Sequence, residues 1–341
     1  MMANLASPAG LPTLEMVAAA AGVSRATVSR VVNGSIKVRP EVQAVVQTAI
    51  EHLNYVPNRA ARSLVNRRTQ VIALVVPEDL AMFFGDPYFA AIVQGITRRL
   101  DASDYTLNLL VAASDPGNKT TRYLRSGNVD GALIVSHHTG DAFVAGIVGA
   151  VPLVFGGRPS ITPADEIYFV DVDNTQGAAD ATRYLVEAGH RRIGTITGPM
   201  DMPAGIDRFA GFTSVMTEAG LALDAVEHAD FTAAGAVLAT NRLLDRVPDV
   251  DALFVASDLM ATGVLEVLRA RARSVPGDVA VVGFDDSPSA ASASVPLTTI
   301  RQPSEEAGFR MADGLLRLLS GDSTVIRHTI LPTTFVKRAS A

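Results

Sequence analysis

Between residues 71 and 286 the chain keeps returning to one pattern, a short apolar run followed by a stretch with helical spacing. The runs "VIALVVP" (71–77), "YTLNLLVAA" (105–113), "VDGALIVS" (129–136) and "VPLVFGG" (151–157) form a first series, separated by segments such as "YFAAIVQGITRRL". Beyond about residue 170 the alternation resumes with "RRIGTITGP", "DALFVASD" and "DVAVVGFDD". Strands that are apolar throughout belong in parallel sheets covered on both faces, and helices between them supply the cover. Two such series in succession predict two doubly wound α/β subdomains with a cleft between them. A helix near 304–320 and the segment "HTILPTTFV" are placed to cross back and tie the halves together.

The first 68 residues follow a different period. Leu14, Val17, Ala18 and Ala21 fall at helical spacing, with Thr13 placed as cap and Glu15 in the first turn, where the helix dipole favours an anion. Gly22 ends that helix. Ser24 can cap a second, whose Val28, Val31 and Val32 form the inward stripe and leave Arg25, Ala26, Ser29, Arg30 and Asn33 outward. A third opens at Pro40 and carries Val42, Val45, Val46, Ala49, Ile50 and Leu53 as an apolar seam. Three helices with a tight glycine turn between the first two predict an all-α helix-turn-helix head. In that arrangement the second helix enters the major groove, where arginine reads guanine and Ser or Thr meets phosphates or base edges. Arg25 and Arg30 are the expected base readers.

Charge supports this division. The chain of 341 residues carries a formal net charge of -6, yet residues 1–68 hold eight basic residues against three acidic ones, a net +5, leaving -11 for the rest. A basic head on an acidic body fits one domain that meets a polyanion and another that does something else. With 48% hydrophobic and 19% charged residues the composition is that of a folded globular protein. There is no cysteine, hence no disulfide or thiolate metal ligand. No apolar run reaches the ~18 residues of a membrane span, and the start lacks a charged n-region followed by an apolar h-region, so no membrane partner and a cytoplasmic location are expected, nucleoid-associated given the DNA-binding head.

The run from Thr13 to Thr69, with "GVSRATVSRVVNG" and "YVPNRAARSL", resembles the head and hinge of the LacI/GalR family of transcription regulators. The likeness continues through "DVDNTQGA", "GHRRIGTITGP", "RFAGF", "ASDLMATG", "VAVVGFDD" and "LTTIRQP", covering nearly the whole chain. "VPLVFGGRP", "GPMDMPAGIDR" and "ASDLMATGVLEVLRA" are similar to actinobacterial cellobiose-responsive repressors of that family. The resemblance implies a head at 11–57, a hinge at 58–68 and a core at 69–341 shaped like a periplasmic binding protein. Its N-subdomain is expected at about 69–170 and 299–325, its C-subdomain at about 171–298 and 326–341.

The implied partners are double-stranded operator DNA, a sugar effector and a second copy of the chain, as a homodimer or higher oligomer; no cofactor or metal is implied. The implied DNA contacts are Thr13, Ser24, Arg25, Ala26, Thr27, Ser29, Arg30 and Asn33 in the head and Asn58, Arg59, Arg62 and Leu64 in the hinge. In the family, the leucine matching Leu64 wedges into the minor groove; the alternative is packing within a linker. Arg67 and Arg68 would add phosphate contacts. At "VRPE" the chain has Arg39 where the family has a small capping residue, which predicts a poorly capped third helix.

The resemblance places effector contacts at Arg208, Phe231, Ser257 and Asp285. Asp86, Tyr88 and Phe89 after the first strand, and Arg158 after the fourth, join them by position, since ligands of open α/β folds bind beyond the strands' carboxyl ends. Each has a plainer reading: the aspartates, Asp258 among them, as helix caps, Tyr88 and Phe89 as core residues, and Asp173 of "DVDN" as structural. Adjacent His137 and His138 lack an acidic partner at ligand spacing in the sequence and read as loop residues rather than metal ligands. Gly157 stands where some family members carry an effector-binding aspartate, and would leave room for a second sugar ring, as in cellobiose or another β-glucoside. The rival classes are a sugar receptor without a DNA role and an enzyme of the cleft. The latter lacks any G-x-x-x-x-G-K-[ST], G-x-S-x-G or H-E-x-x-H signature, so the protein is expected not to be an enzyme.

Overall fold

The computed structural model describes residues 12–32, 37–56, 68–113, 115, 117–160 and 166–341. The chain divides into two compact units, Met1–Thr69 and Gln70–Ala341.

In the first unit, helix α1 (Leu14–Ala21) starts where the Met16 N–H donates to Thr13 Oγ1 at 3.3 Å and ends at Gly22, φ +63°. That left-handed conformation is the one glycine adopts without strain. The N–H of Thr27 donates to Ser24 Oγ at 3.2 Å at the start of α2 (Arg25–Val32). Helix α3 (Pro40–His52) begins after Arg39, which makes no side-chain capping bond. Val17, Ala18, Ala21, Val28, Val46 and Ala49 form the core, joined by Tyr55 from beyond α3. Val45 departs from the expected seam, being 51% exposed; it lies about 100° round the helix from Val46, past the edge of the stripe. Asn33, Asn58, Arg59, Arg62 and Leu64, and nearly all of the expected hinge, lie outside the described residues.

The second unit runs β1 (Val71–Val76), α4 (Leu80–Gly85), α5 (Pro87–Leu100), β2 (Thr106–Val111), α6 (Lys119–Arg125), β3 (Gly131–Val135), α7 (Ala142–Ile147), β4 (Leu153–Gly156) and β5 (Tyr168–Val172). It continues with α8 (Asn174–Glu187), β6 (Ile193–Thr197), α9 (Pro203–Glu218), β7 (Val226–His228), α10 (Ala233–Arg246), β8 (Ala252–Val255), α11 (Asp258–Ala270), β9 (Ala280–Asp285), α12 (Pro288–Ser292) and β10 (Thr298–Arg301). Helix α13 (Ser304–Leu319), β11 (His328–Leu331) and β12 (Thr334–Val336) close the chain.

Two six-stranded sheets result. The first, ordered β11-β5-β4-β3-β1-β2, is parallel throughout. The second, β12-β10-β9-β8-β6-β7, is parallel except for β12, which pairs antiparallel with β10. Because strand neighbours point to opposite faces, each sheet feeds two cores. In the first, Ile72, Leu74 and Val76 pack towards α5 and α13, while Ala73 and Val75 face the other way, with Ile134 and Phe155. In the second, Leu253 and Val255 meet α10 and α11, while Phe254 and Val282 meet α8 and α9.

All seven expected apolar runs contain strands. One is not buried: β2 is an edge strand in which every residue is at least partly exposed, because nothing pairs beyond it among the described residues. Strands β5, β7 and β10 escaped the apolar pattern. Pairing also moves the expected crossing points. β5 through Val172 and β11 belong to the first sheet, and β10 to the second, whereas residues 171, 299 and 326 were the anticipated switches. Strand pairing decides this, and pairing is not visible in local composition.

Helices α5 and α13 touch backbone to backbone. A Cβ on Gly95 would lie 1.8 Å from the carbonyl oxygen of Glu305, and one on Gly308 would lie 2.2 Å from that of Ile92.

Candidate functional site

The order of strands leaves a switch point in each sheet, between β1 and β3 in the first and between β6 and β8 in the second. Crevices open at such points beyond the carboxyl ends of the strands. A cleft of about 690 Å³ lies there, with Glu78 and His137 among its lining on the first lobe and Arg208, Ser257 and Asp285 on the second. This is the size range of small-ligand sites.

Arg208, on α9, is the centre of the second lobe's wall and only 4% exposed. Its Nε donates to Asn174 Oδ1 at 2.9 Å and its Nη1 to the carbonyl of Ala256 at 2.6 Å; Nη1 also lies 3.4 Å from Asp285 Oδ1. The guanidinium sits 3.7 Å from the Phe284 ring centroid, a cation–π stack that fixes its plane. Gln302 Nε2 donates to Asp285 Oδ1 at 2.7 Å. Burial pushes the Asp285 carboxyl well above the ordinary carboxylate range, with the Arg208 charge opposing the shift, and burial likewise lowers Arg208. Asp285 holds φ +118° and Phe231 φ +61°, conformations that non-glycine residues rarely adopt and that cluster at functional sites.

On the first lobe, the Asp86 carboxylate accepts from the Tyr88 N–H at 2.9 Å, capping α5, and burial raises its pKa. Tyr88 lines the cleft, and burial raises its phenol too. Phe89 also borders the cleft, but at 3% exposure and packed on Phe83 it is foremost a core residue. Ser257 lines the cleft and caps α11 by accepting from the Met260 N–H. Asp258 is not that cap. Its carboxylate accepts from Thr299 Oγ1 at 2.6 Å and from the Ser287 N–H at 2.8 Å, and burial pushes its pKa up to about 6. Asp173 caps α8 through the Gln176 N–H.

Arg158 does not fall among the lining residues. Its guanidinium reaches both carboxylate oxygens of Asp207, at 2.8 and 2.9 Å, with the side chain half exposed. Gly157 does leave space: a Cβ there would meet only His137 Nε2, at 3.8 Å. The histidines differ from each other. His137 is 5% exposed with its pKa lowered by burial, whereas His138 has two acidic partners, Glu78 and Asp201, that sequence distance conceals.

Asn174, Gln302 and Asp171 line the cleft without having been singled out. Asp171 Oδ2 accepts from the Arg158 N–H at 3.0 Å and Oδ1 from Asn174 Nδ2 at 3.1 Å; burial raises its pKa. The signal was present, since "DVDN" and "IRQP" put polar residues at the carboxyl ends of strands.

In the head, Arg25, Ala26, Arg30 and the caps Thr13 and Ser24 are exposed, and Thr27 and Ser29 half-buried. The Ser24 and Thr27 hydroxyls pair at 2.9 Å. Arg25 Nε lies 2.9 Å from Glu15 Oε1, with both side chains more than half exposed. Exposed pairs of this kind are worth little and exchange readily for another anion. Among the described residues no helix is long and apolar enough to cross a membrane.

Residues 13–58 match the bacterial regulatory proteins of the lacI family, and residues 182–341 match a periplasmic binding protein-like domain. The chain is 46% identical to the HTH-type transcriptional regulator CelR of Thermobifida fusca, covering 96% of this chain and 98% of that protein. It belongs to the LacI family. The ribose operon repressor of Escherichia coli K12 is 32% identical, covering 97% of this chain and 100% of its own length. Among solved structures, a CelR–cellobiose complex superposes with a TM-score of 0.78 at 44% identity, covering 97% of this chain and 100% of that one. The lac repressor dimer bound to operator and the anti-inducer ONPF gives 0.85 at 29% identity, covering 96% and 98%. This LacI-family protein thus joins a helix-turn-helix head to a two-lobed α/β core.

Proposed function

We propose that this protein is a transcriptional repressor that holds operator DNA as a homodimer and releases it on binding cellobiose or another neutral β-glucoside. The observation that carries the sugar reading is the polar cradle of Arg208, Asn174, Asp285 and Gln302 in a cleft of about 690 Å³. Paired hydroxyls need a fork of donors and acceptors of this kind. Glu78, Asp86, Asp171 and Asp285 all border the same space against the single guanidinium of Arg208. That balance disfavours sugar phosphates and sugar acids, whose charge would meet carboxylates. A CelR that is 44% identical to this chain has been solved in complex with cellobiose, and the open space at Gly157 suits a second ring.

The sugar acts by having different affinities for the DNA-bound and the released state. Fluorescence anisotropy on an operator duplex provides the test. Cellobiose is expected to dissociate the complex while glucose-6-phosphate has no effect; no response to any neutral saccharide would overturn the reading.

Arg30 carries the base-reading role we assign to α2. Arg30→Ala is expected to weaken operator binding by about 1–3 kcal/mol and relax preference at one base pair. A uniform loss over all sequences would make it a phosphate contact instead.

A further inference from the structure

We infer that His138 fastens the cleft, its side chain joining the first lobe's Glu78 to the second lobe's Asp201 and so positioning α9, with Arg208, over the ligand. His138 follows β3, and its Nε2 lies 3.2 Å from Glu78 Oε1 at the end of β1. Its Nδ1 lies 3.0 Å from Asp201 Oδ2, in the loop that leads from β6 into α9. Beside it the Thr139 N–H donates to the Asp201 carbonyl at 2.8 Å, a second tie between the same two loops. The fastening loop is itself held firmly. The His138 N–H donates to Asp141 Oδ2 at 2.7 Å, and Ser136, at φ +58°, donates its hydroxyl to Glu78 Oε1 at 2.7 Å. Neighbouring His137 points elsewhere, to the Gly157 carbonyl.

Chemistry fixes the protonation state. A neutral imidazole has one N–H and one lone pair, so between two carboxylates one nitrogen would face like charge; only the imidazolium donates at both ends. The Glu78 hydrogen bond first, and the Asp201 hydrogen bond after it, push the pKa of His138 up to about 9. The cation also answers a need of the cleft, which is bordered by Asp86, Asp171 and Asp285 from its two lobes. A second ion pair between the lobes, Arg158 to Asp207, lands one residue before Arg208. Both ties therefore end on α9 or the loop leading into it.

Opening the cleft separates His138 from Asp201 and lowers its pKa. Closure thus binds protons, is fully supported below the open-state pKa, and weakens as pH rises through about 9. The binding role rests on the sugar reading above; the bridge itself does not, and two measurements separate them.

The first is a proton NMR titration of the sugar-free protein, the His138 signal being assigned by its loss in His138→Gln. A pKa near 9 that drops in Asp201→Asn is expected. A value near 6.5, unmoved by that change in the other lobe, would overturn the bridge. The second is calorimetric titration with cellobiose at pH 7.5 and 9.5. Wild type is expected to bind several-fold more weakly at the higher pH. His138→Gln should bind about fivefold more weakly at pH 7.5, the size of a partly exposed ion pair, and show a flat pH profile. Equal affinities for both proteins at both pH values would refute the positioning role. If cellobiose binds neither protein at either pH, the sugar reading fails while the NMR titration still decides the bridge.

Discussion

Arg208→Ala should keep its hold on operator DNA and lose its response to cellobiose. The side chain is buried and simultaneously engages Asn174, the Ala256 carbonyl and Asp285. Truncation removes the donor fork and the cation nearest to Asp285, whose carboxyl already sits above its ordinary range. Without that cation burial pushes the carboxyl further upward, because the charge that opposed the shift is gone. A hydrogen bond from a charged donor is worth about 1.5–3 kcal/mol, so losing what Arg208 gives the sugar hydroxyls should lower sugar affinity by at least ~10-fold. Calorimetry reads the sugar and anisotropy reads the operator. A variant still released by cellobiose at wild-type concentrations would remove Arg208 from the site. Arg208→Lys separates charge from shape: an ammonium restores the charge but not the planar fork stacked on Phe284.

The second large effect is on stability. Gly95→Ala forces a methyl group to within 1.8 Å of the Glu305 carbonyl oxygen, a backbone atom of the facing helix that no rotamer change can move. The helices must separate, opening the contact that Gly308 makes against Ile92 on the other side. Overpacking of this kind costs about 3 kcal/mol, equivalent to a Tm lowered by roughly 6–12 °C in a domain of this size. Gly140→Ala, with nothing within 4 Å of the new Cβ, is the matched control and should melt with wild type. Because α5 begins with the Asp86 cap and Tyr88, Gly95→Ala should also weaken sugar binding. An unchanged Tm would mean that α13 yields without cost.

What could be read without coordinates was what local periodicity carries. Val17, Val28 and Val46 stood on inward stripes and are fully buried; the apolar runs became strands; Thr13, Gly22 and Ser24 punctuated the first helices as their chemistry dictates. Where periodicity was silent the reading thinned. β5 carries the buried acid Asp171 and is followed by Asp173, so it did not register as an apolar run, and β7 is only three residues long. The site divided in the same way. Arg208, Ser257 and Asp285, which the family resemblance names as effector contacts, line the cleft, but Arg158 points to Asp207 because a partner on another lobe captures it. His138 is the same case in reverse. Glu78 and Asp201 lie 60 and 63 residues away in sequence, so its acidic neighbours exist only once the sheets are folded.

The three crossings between the sheets have a mechanical meaning. Val172 is in register with Leu331 in the first sheet and Arg301 with Thr334 in the second, and only Pro332 and Thr333 separate β11 from β12. The three residue steps from Leu331 to Thr334 span at most ~11 Å. The lobes therefore cannot slide apart or shear along each other without tearing strands out of one sheet. What is left to them is rotation about a line through these short links, as with a book on its spine.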